Sequence, residues 1–294
     1  MFFQNNAVRR IMMVAYRAYT RSLLLSDGPV IFVNSIPKSG THLLIGLLQC
    51  IPGLMHSGLH IATWQVNARN SGNREHGNQV FEGDVVRFSR LVGSVNRGQF
   101  FSAHLPFDEA LLSELFDRDV KVIELIRDPR DVVVSQLHYI TNLRRHYLHD
   151  YLVSGYSNAN ERLSALIEGF DYRHDGQLVR RANCGELLDA YSGWRRAPSV
   201  FQLKFEDLSI SEEGGEPVQA EKIGDLLKFL GFDGEAVDVQ DLLMKGRERN
   251  KFTLRAGRSG GWRSEFNSGH VERFKHVAGR HLIEMGYELD DDWR

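Results

Sequence analysis

Val30-Ile31-Phe32-Val33-Asn34-Ser35-Ile36-Pro37-Lys38-Ser39-Gly40-Thr41-His42-Leu43-Leu44-Ile45-Gly46-Leu47-Leu48 is the stretch that decides the fold. Its first four residues are an apolar run of the kind buried in a parallel sheet. Its middle carries proline, lysine and glycine, and its end returns to leucine and isoleucine at helical spacing. It reads as strand, turn, helix. Backbone N–H groups at such a turn converge on one point, the helix N-terminus adds partial positive charge, and Lys38 adds a full one. A phosphate-like or sulfate-like group belongs there, touched by Lys38, Ser39, Gly40, Thr41 and His42, the last in a position that need only be polar. In the nucleoside-triphosphate version of this turn glycine directly precedes the lysine. Here that residue is Pro37, which fixes φ and donates no hydrogen bond, so the cradle differs from the one for the β- and γ-phosphates of ATP.

A second stretch, Lys121 to Ser135, repeats the logic. Val122-Ile123-Glu124-Leu125-Ile126 suits a buried parallel strand, Asp128 an N-cap and Pro129 the first helical position. Arg127 therefore sits outside the carboxyl end of a strand, where α/β sheets bind ligands. Ser135 follows eight residues on. Phe100-Phe101-Ser102-Ala103-His104 predicts a short strand ending at His104, which brings its imidazole to the same rim as Lys38 and Arg127. A histidine with a pKa near the working pH is the usual remover of a hydroxyl proton. Plainer readings stand beside these: Arg127 and Asp128 as an ion pair at a helix start, His104 as a capped strand-end histidine.

Pro37 to Thr41 resembles the P-K-S-G-T loop of sulfotransferases that use 3′-phosphoadenosine 5′-phosphosulfate (PAPS). Arg127 and Ser135 match the arginine and serine of that family's R-x-P-x-D-x-x-x-S pattern, and His104-Leu105-Pro106 matches its T-H-L-P segment, with Ala103 in place of threonine. Arg255-Ala256-Gly257-Arg258-Ser259-Gly260-Gly261-Trp262 resembles its R-K-G-x-x-G-D-W loop, with Ala256 and Gly261 in place of lysine and aspartate. The resemblance implies PAPS as sulfuryl donor, gripped at the 5′-phosphosulfate by residues 38–42 and at the 3′-phosphate by Arg127 and Ser135. Arg255, Ala256 and Gly257 would close over it. It implies His104 as general base, Lys38 as partner of the charge on the bridging oxygen, in-line displacement, and no metal. Phe205, in Leu203-Lys204-Phe205-Glu206-Asp207, resembles the family's Y-E-D segment near the adenine edge; a strand-end core phenylalanine is its other reading. Many members carry a tryptophan stacked on adenine where this chain has Leu43, and Trp262 reads either as a donor contact or as core.

The expected fold is α/β: a single P-loop-like domain with a central parallel β-sheet flanked by helices on both faces, over 28–294, preceded by a basic amphipathic helix over 1–27. Strands are expected at Val30–Ile36, Phe100–His104, Lys121–Arg127 and Val200–Phe205. Helices should follow the first and third, and also span Ala220–Leu230 and His270–Met285. Asn67–Asn78, Ser154–Asn160 and Ser211–Glu216 read as loops. Leu143–Asp175, rich in Tyr, His and Arg, is taken as the acceptor side from its position alone. The 294 residues suit one α/β domain with insertions, and a formal net charge of −2 argues against a nucleic-acid binder. Two cysteines form no disulfide framework, which favours a reducing, cytoplasmic setting. No acidic run or Cys/His cluster calls for a metal. Residues 8–25 mix apolar residues with arginines too often interrupted for a span or a signal peptide. Arg10, Arg17 and Arg21 share a helix face there, which suits docking on the domain or peripheral contact with a membrane. The acceptor is a hydroxyl on a small molecule, glycan or lipid. A P-loop nucleotide kinase and a non-catalytic nucleotide-binding module are the alternatives.

Overall fold

The computed structural model describes residues 6–22, 28–69, 81–174, 176–209, 216–232, 237–250 and 259–294, without the side chains of 6–11, 21–22, 216–217, 247 and 250. In chain order the elements are α1 (Asn6–Ser22), β1 (Val30–Ser35), α2 (Thr41–Leu48), β2 (Met55–Ile61), α3 (Thr63–Val66), α4 (Val85–Val92), β3 (Gln99–Ala103), α5 (Glu109–Asp117) and β4 (Val120–Ile126). There follow α6 (Pro129–Asn142), α7 (His149–Gly155), α8 (Ala159–Glu168), β5 (Phe170–His174), β6 (Gln177–Arg181), α9 (Cys184–Arg196) and β7 (Val200–Lys204). The chain closes with α10 (Phe205–Leu208), α11 (Glu216–Leu230), α12 (Val239–Asn250), a 3₁₀ turn (Gly261–Ser264) and α13 (Ser268–Glu284).

Five strands form a parallel sheet in the order β2-β3-β1-β4-β7. Alternation along the strands builds two cores, because successive side chains leave opposite faces. Phe32, Phe101 and Val122 point to one face, under Phe88, Leu111, Leu115, Val133, Leu188, Trp194 and Phe274. Ile31, Val33, Phe100, Ile123, Leu125 and Leu203 point to the other, against Leu44, Leu47 and Leu48 of α2, Ile223 and Leu227 of α11, and Leu242 and Leu243 of α12. Helices thus cover both faces, which is why β1 opens on an apolar run and β4 is largely apolar rather than alternating. All connections put their strand-to-helix turns at one edge, and the site lies along that edge.

The expected strands are present, each ending one residue early, so His104 and Arg127 are the first residues beyond β3 and β4. Phe205 opens a helix instead of closing a strand. The helix expected at Ala220–Leu230 begins at Glu216, and that at His270–Met285 runs Ser268–Glu284. The sequence reading missed β2 and the antiparallel β5–β6 hairpin. Of the expected loops, α7 and α8 leave only 156–158 between them, Asn67 bridges Gly83, and residues 70–80 and 211–215 lie outside the described residues.

The N-terminal helix lies against the sheet edge. Thr20 Oγ1 donates to the Ser57 carbonyl at 3.0 Å, Tyr16 Oη to the His56 carbonyl at 2.9 Å, and Gln99 Nε2 to the Thr20 carbonyl at 2.7 Å. The first two satisfy backbone acceptors of β2, an edge strand, and the third ties α1 to β3. Met12, Val14 and Tyr19 stay exposed on α1. No described helix is long and apolar enough to cross a membrane.

Candidate active site

Adjacent strands β3, β1 and β4 end side by side, and the residues that follow each of them meet. After β1 the chain turns at Lys38 (φ 80°) and Gly40 (φ 96°), both in the left-handed region. Glycine takes that conformation freely, whereas a lysine there stores about 1–2 kcal/mol. A Cβ on Gly40 would collide with the Phe205 ring, so the turn is seated directly on that ring. Ser39 is buried, the Thr41 and Ser35 hydroxyls are 2.7 Å apart, and His42 is exposed at the start of α2. The amides of Gly40 and Thr41 donate no hydrogen bond among the described residues, which leaves them for an anion at the helix start.

Arg127 reaches across from the end of β4. Its Nη1 donates to the Lys38 carbonyl at 3.2 Å, its Cζ lies 4.2 Å from the Phe205 ring centre, and its Nη2 is 4.0 Å from Asp131 Oδ2. The predicted cap is present: the Asp128 side chain accepts from the Arg130 amide at 2.9 Å, with Pro129 next. Ser135, two turns along α6, has a half-buried hydroxyl with no partner among the described residues. One turn further, Tyr139 lies under Lys38, whose Nζ is 4.0 Å from the ring centre.

His104 closes the constellation. Its Nδ1 is 2.8 Å from the Ser35 carbonyl, which can only accept, so Nδ1 carries the proton and Nε2 keeps its lone pair. Thr63 Oγ1 donates to the His104 carbonyl at 2.9 Å. Burial, then the neighbouring His60, lower the His104 pKa to about 4, with His42 and Lys38 adding to the effect and the Ser35 bond opposing it. The imidazole is therefore neutral near pH 7, as a proton acceptor must be.

Asp131 was not picked out from the sequence, although it stands in the same motif as Arg127. It accepts from the Gly260 amide at 2.7 Å and the Trp262 amide at 2.9 Å, and so fixes residues 260–262 to the start of α6. Arg255, Ala256 and Gly257 themselves lie outside the described residues. At three positions the structure favours the plainer reading. Trp262 is core: it is buried with the Arg130 guanidinium 3.9 Å from its ring centre. Leu43 is buried in the α2-side core, because its place on the first turn of α2 faces the sheet. Phe205 is 2% exposed beneath Gly40 and Arg127, so it supports the residues around an anion and shows no open face to a base.

An aromatic wall leads away from Lys38. Tyr139 meets His146 edge-on at 5.6 Å, His146 stacks on Tyr147 at 4.7 Å, and Tyr147 reaches Tyr172 at 6.1 Å. Most of it falls within the Leu143–Asp175 stretch. A cavity between β4, α6 and α9, lined by Ile126, Val132, Val133 and Leu187 and reaching Ser39 and Arg127, measures about 20 Å³. That is room for about one water molecule, too little for an organic acceptor. Among the described residues no group of three His, Cys, Asp or Glu side chains could hold a metal.

A model of the sulfotransferase domain matches residues 29–286. Cytosolic sulfotransferase 14 of Arabidopsis thaliana is 26% identical over 209 residues, which are 63% of this chain and 55% of that protein. The 3-alpha-hydroxysteroid sulfotransferase of Cavia porcellus is 23% identical over 212 residues, 64% of each. The aligned stretch thus spans less than two thirds of both relatives. Among solved structures, mouse sulfotransferase SULT7A1 complexed with PAP superposes with a TM-score of 0.55 at 16% identity, covering 91% of this chain and 89% of that one. Retinol dehydratase in complex with androsterone and PAP gives 0.51 at 19% identity, covering 96% and 87%. At such identities the likeness is one of fold. The match to the domain itself runs from the threshold of β1 to just past α13, and the chain belongs to the sulfotransferase domain family.

Proposed function

We propose that this protein moves a sulfuryl group from PAPS to an acceptor hydroxyl by in-line displacement, with His104 as general base. The observation that carries this reading is the His104 ring: its Nδ1 is committed to the Ser35 carbonyl, and its Nε2 is left as a neutral acceptor beside the anion-binding turn. The residues fit the donor. The turn of residues 38–42, with its two undonated amides, suits the 5′-phosphosulfate, and Arg127 with the unpartnered Ser135 hydroxyl suits the 3′-phosphate. The donor supplies an activated sulfuryl group whose bond to a phosphate oxygen breaks as the acceptor oxygen joins sulfur. His104 Nε2 accepts the acceptor's proton, a contribution of roughly 10²- to 10⁴-fold. Lys38 offers positive charge to the oxygen left behind, and the turn that carries it is held by Arg127 and Phe205. The acceptor is a hydroxyl-bearing small molecule, glycan or lipid; one relative is by name a hydroxysteroid sulfotransferase, and one structural neighbour holds androsterone.

We also infer peripheral contact with an anionic membrane through α1. Its 17 residues contain four arginines and no acidic residue, and Met12, Val14 and Tyr19 are exposed.

Calorimetric titration with 3′-phosphoadenosine 5′-phosphate, against adenosine 5′-monophosphate and magnesium-ATP, tests the donor. Binding that requires the 3′-phosphate is expected; preference for magnesium-ATP would move the chain to the kinases. His104→Ala should retain that binding and lose nearly all turnover, and a loss under about tenfold would remove His104 from the role of base.

A further inference from the structure

A second imidazole stands beside the base. His60, next to last in β2, lies opposite Ser102 of β3, and its Nδ1 is 3.0 Å from Ser102 Oγ. Its ring meets that of His104 edge-on, 4.9 Å between centres. The register of β2 against β3 shifts between His56 and His60, with Gly58 at φ 76° in the irregularity. Bulges of this kind next to active sites re-aim a side chain, and a regular strand would not carry both His56 and His60 into their observed register. His60 is exposed, whereas His104 is largely enclosed.

Three groups share the surroundings of these two rings: Lys38 from the turn after β1, His42 from the start of α2 and His56 from β2. All are basic. Two imidazolium ions with centres 4.9 Å apart repel each other, so on acidification the pair accepts one proton well before two. The first proton goes to the ring that water can reach, since a charge there is less costly to solvate.

We propose that His60 is a positioning residue for the base: held by Ser102, it takes the first proton the cluster receives and thereby keeps His104 neutral and able to accept from the acceptor hydroxyl. The proposal rests on His104 being the base. The direction of the shifts agrees, since the His60 charge stands second only to burial in lowering His104, and His60 is itself lowered by partial desolvation and by His42.

Histidine ring titrations by NMR read this directly in the nucleotide-free protein, with the His104 signal identified by its absence in His104→Gln. In His60→Gln the His104 midpoint should move up by roughly half a pH unit or more. The acid limb of kcat/KM should follow it, while turnover at pH 8 changes less than about threefold. Ser102→Ala, which frees the ring without deleting it, should shift the midpoint in the same direction by less and serves if His60→Gln folds poorly. A His104 midpoint that stays put in both variants overturns the proposal. If the midpoint moves but His104→Ala still turns over, the failure lies in the reading of His104 as base, and the positioning role goes with it.

Discussion

Gly40 shows how closely one residue can be specified. It needs the left-handed backbone, and it needs to lack a Cβ, because the Phe205 ring occupies the space a side chain would enter. Both demands have one cause: the turn must lie flat on Phe205 for its amides to face outward and for Arg127 to bridge from the ring to the Lys38 carbonyl. Gly40→Ala should therefore lower the unfolding free energy by about 1–3 kcal/mol and weaken binding of the 3′,5′-bisphosphate nucleotide. Urea titration and calorimetry would check this, and an unchanged urea midpoint would mean that the ring swings aside freely. Lys38, Arg127, Ser135 and His104 were legible because each sits in a motif whose spacing reports a strand end. Asp131, Tyr139 and His60 were not, since their roles depend on partners far along the chain: Gly260 and Trp262 for Asp131, Lys38 for Tyr139, Ser102 for His60. Arg130 is a further case, a buried guanidinium paired with Asp128 and Glu288 and stacked between Trp262 and Trp293.

Among elements, β1, β3 and β4 were readable because burial on both faces gives them apolar runs, the local signature that a sequence does carry. The edge strand β2, Met55-His56-Ser57-Gly58-Leu59-His60-Ile61, has no such run; its polar residues serve the rim and the contact with α1. The β5–β6 hairpin was masked by its charges, being a two-stranded sheet with half its residues exposed. The first helix was readable as basic and amphipathic, but its seat on β2 rests on two side-chain hydroxyls, Tyr16 and Thr20, that no periodicity distinguishes. Docking through that side leaves Val14 and Tyr19 outward. Co-sedimentation with phosphatidylcholine vesicles containing phosphatidylserine should recover the protein in a salt-sensitive manner, and Val14→Asp with Tyr19→Asp should reduce recovery severalfold. Equal recovery of wild type and variant would assign α1 to the protein's own edge alone.

For the molecule as a whole, burial sets opposing pH slopes. His56, His104 and His146 are each lowered to about 4, burial being the main cause. Unfolded, each takes its proton near 6.5, so between pH 4 and 6.5 the unfolded chain binds more protons and stability rises with pH. Glu124, wholly buried on β4, is pushed up to about 8 by the same desolvation. Its carboxyl stays protonated in the fold where the unfolded chain would release the proton, so its contribution is present below about pH 4.5 and is lost as pH rises towards 8. Urea unfolding across pH 4.5 to 8 should accordingly show a steep rise up to about 6.5. Glu124→Gln should gain progressively on wild type above pH 6; parallel curves would mean that Glu124 ionises normally.

The latch at Asp131 has one further consequence. The carboxylate grips two main-chain amides, at 260 and 262, the first on a glycine at φ 76° and the second on a buried tryptophan. Gly261, between them, takes no part, which is why a glycine can stand where the family has an aspartate without loosening the attachment. Asp131 thereby ties residues 260–262 to the same helix that bears Ser135, so any shift of that helix moves both at once.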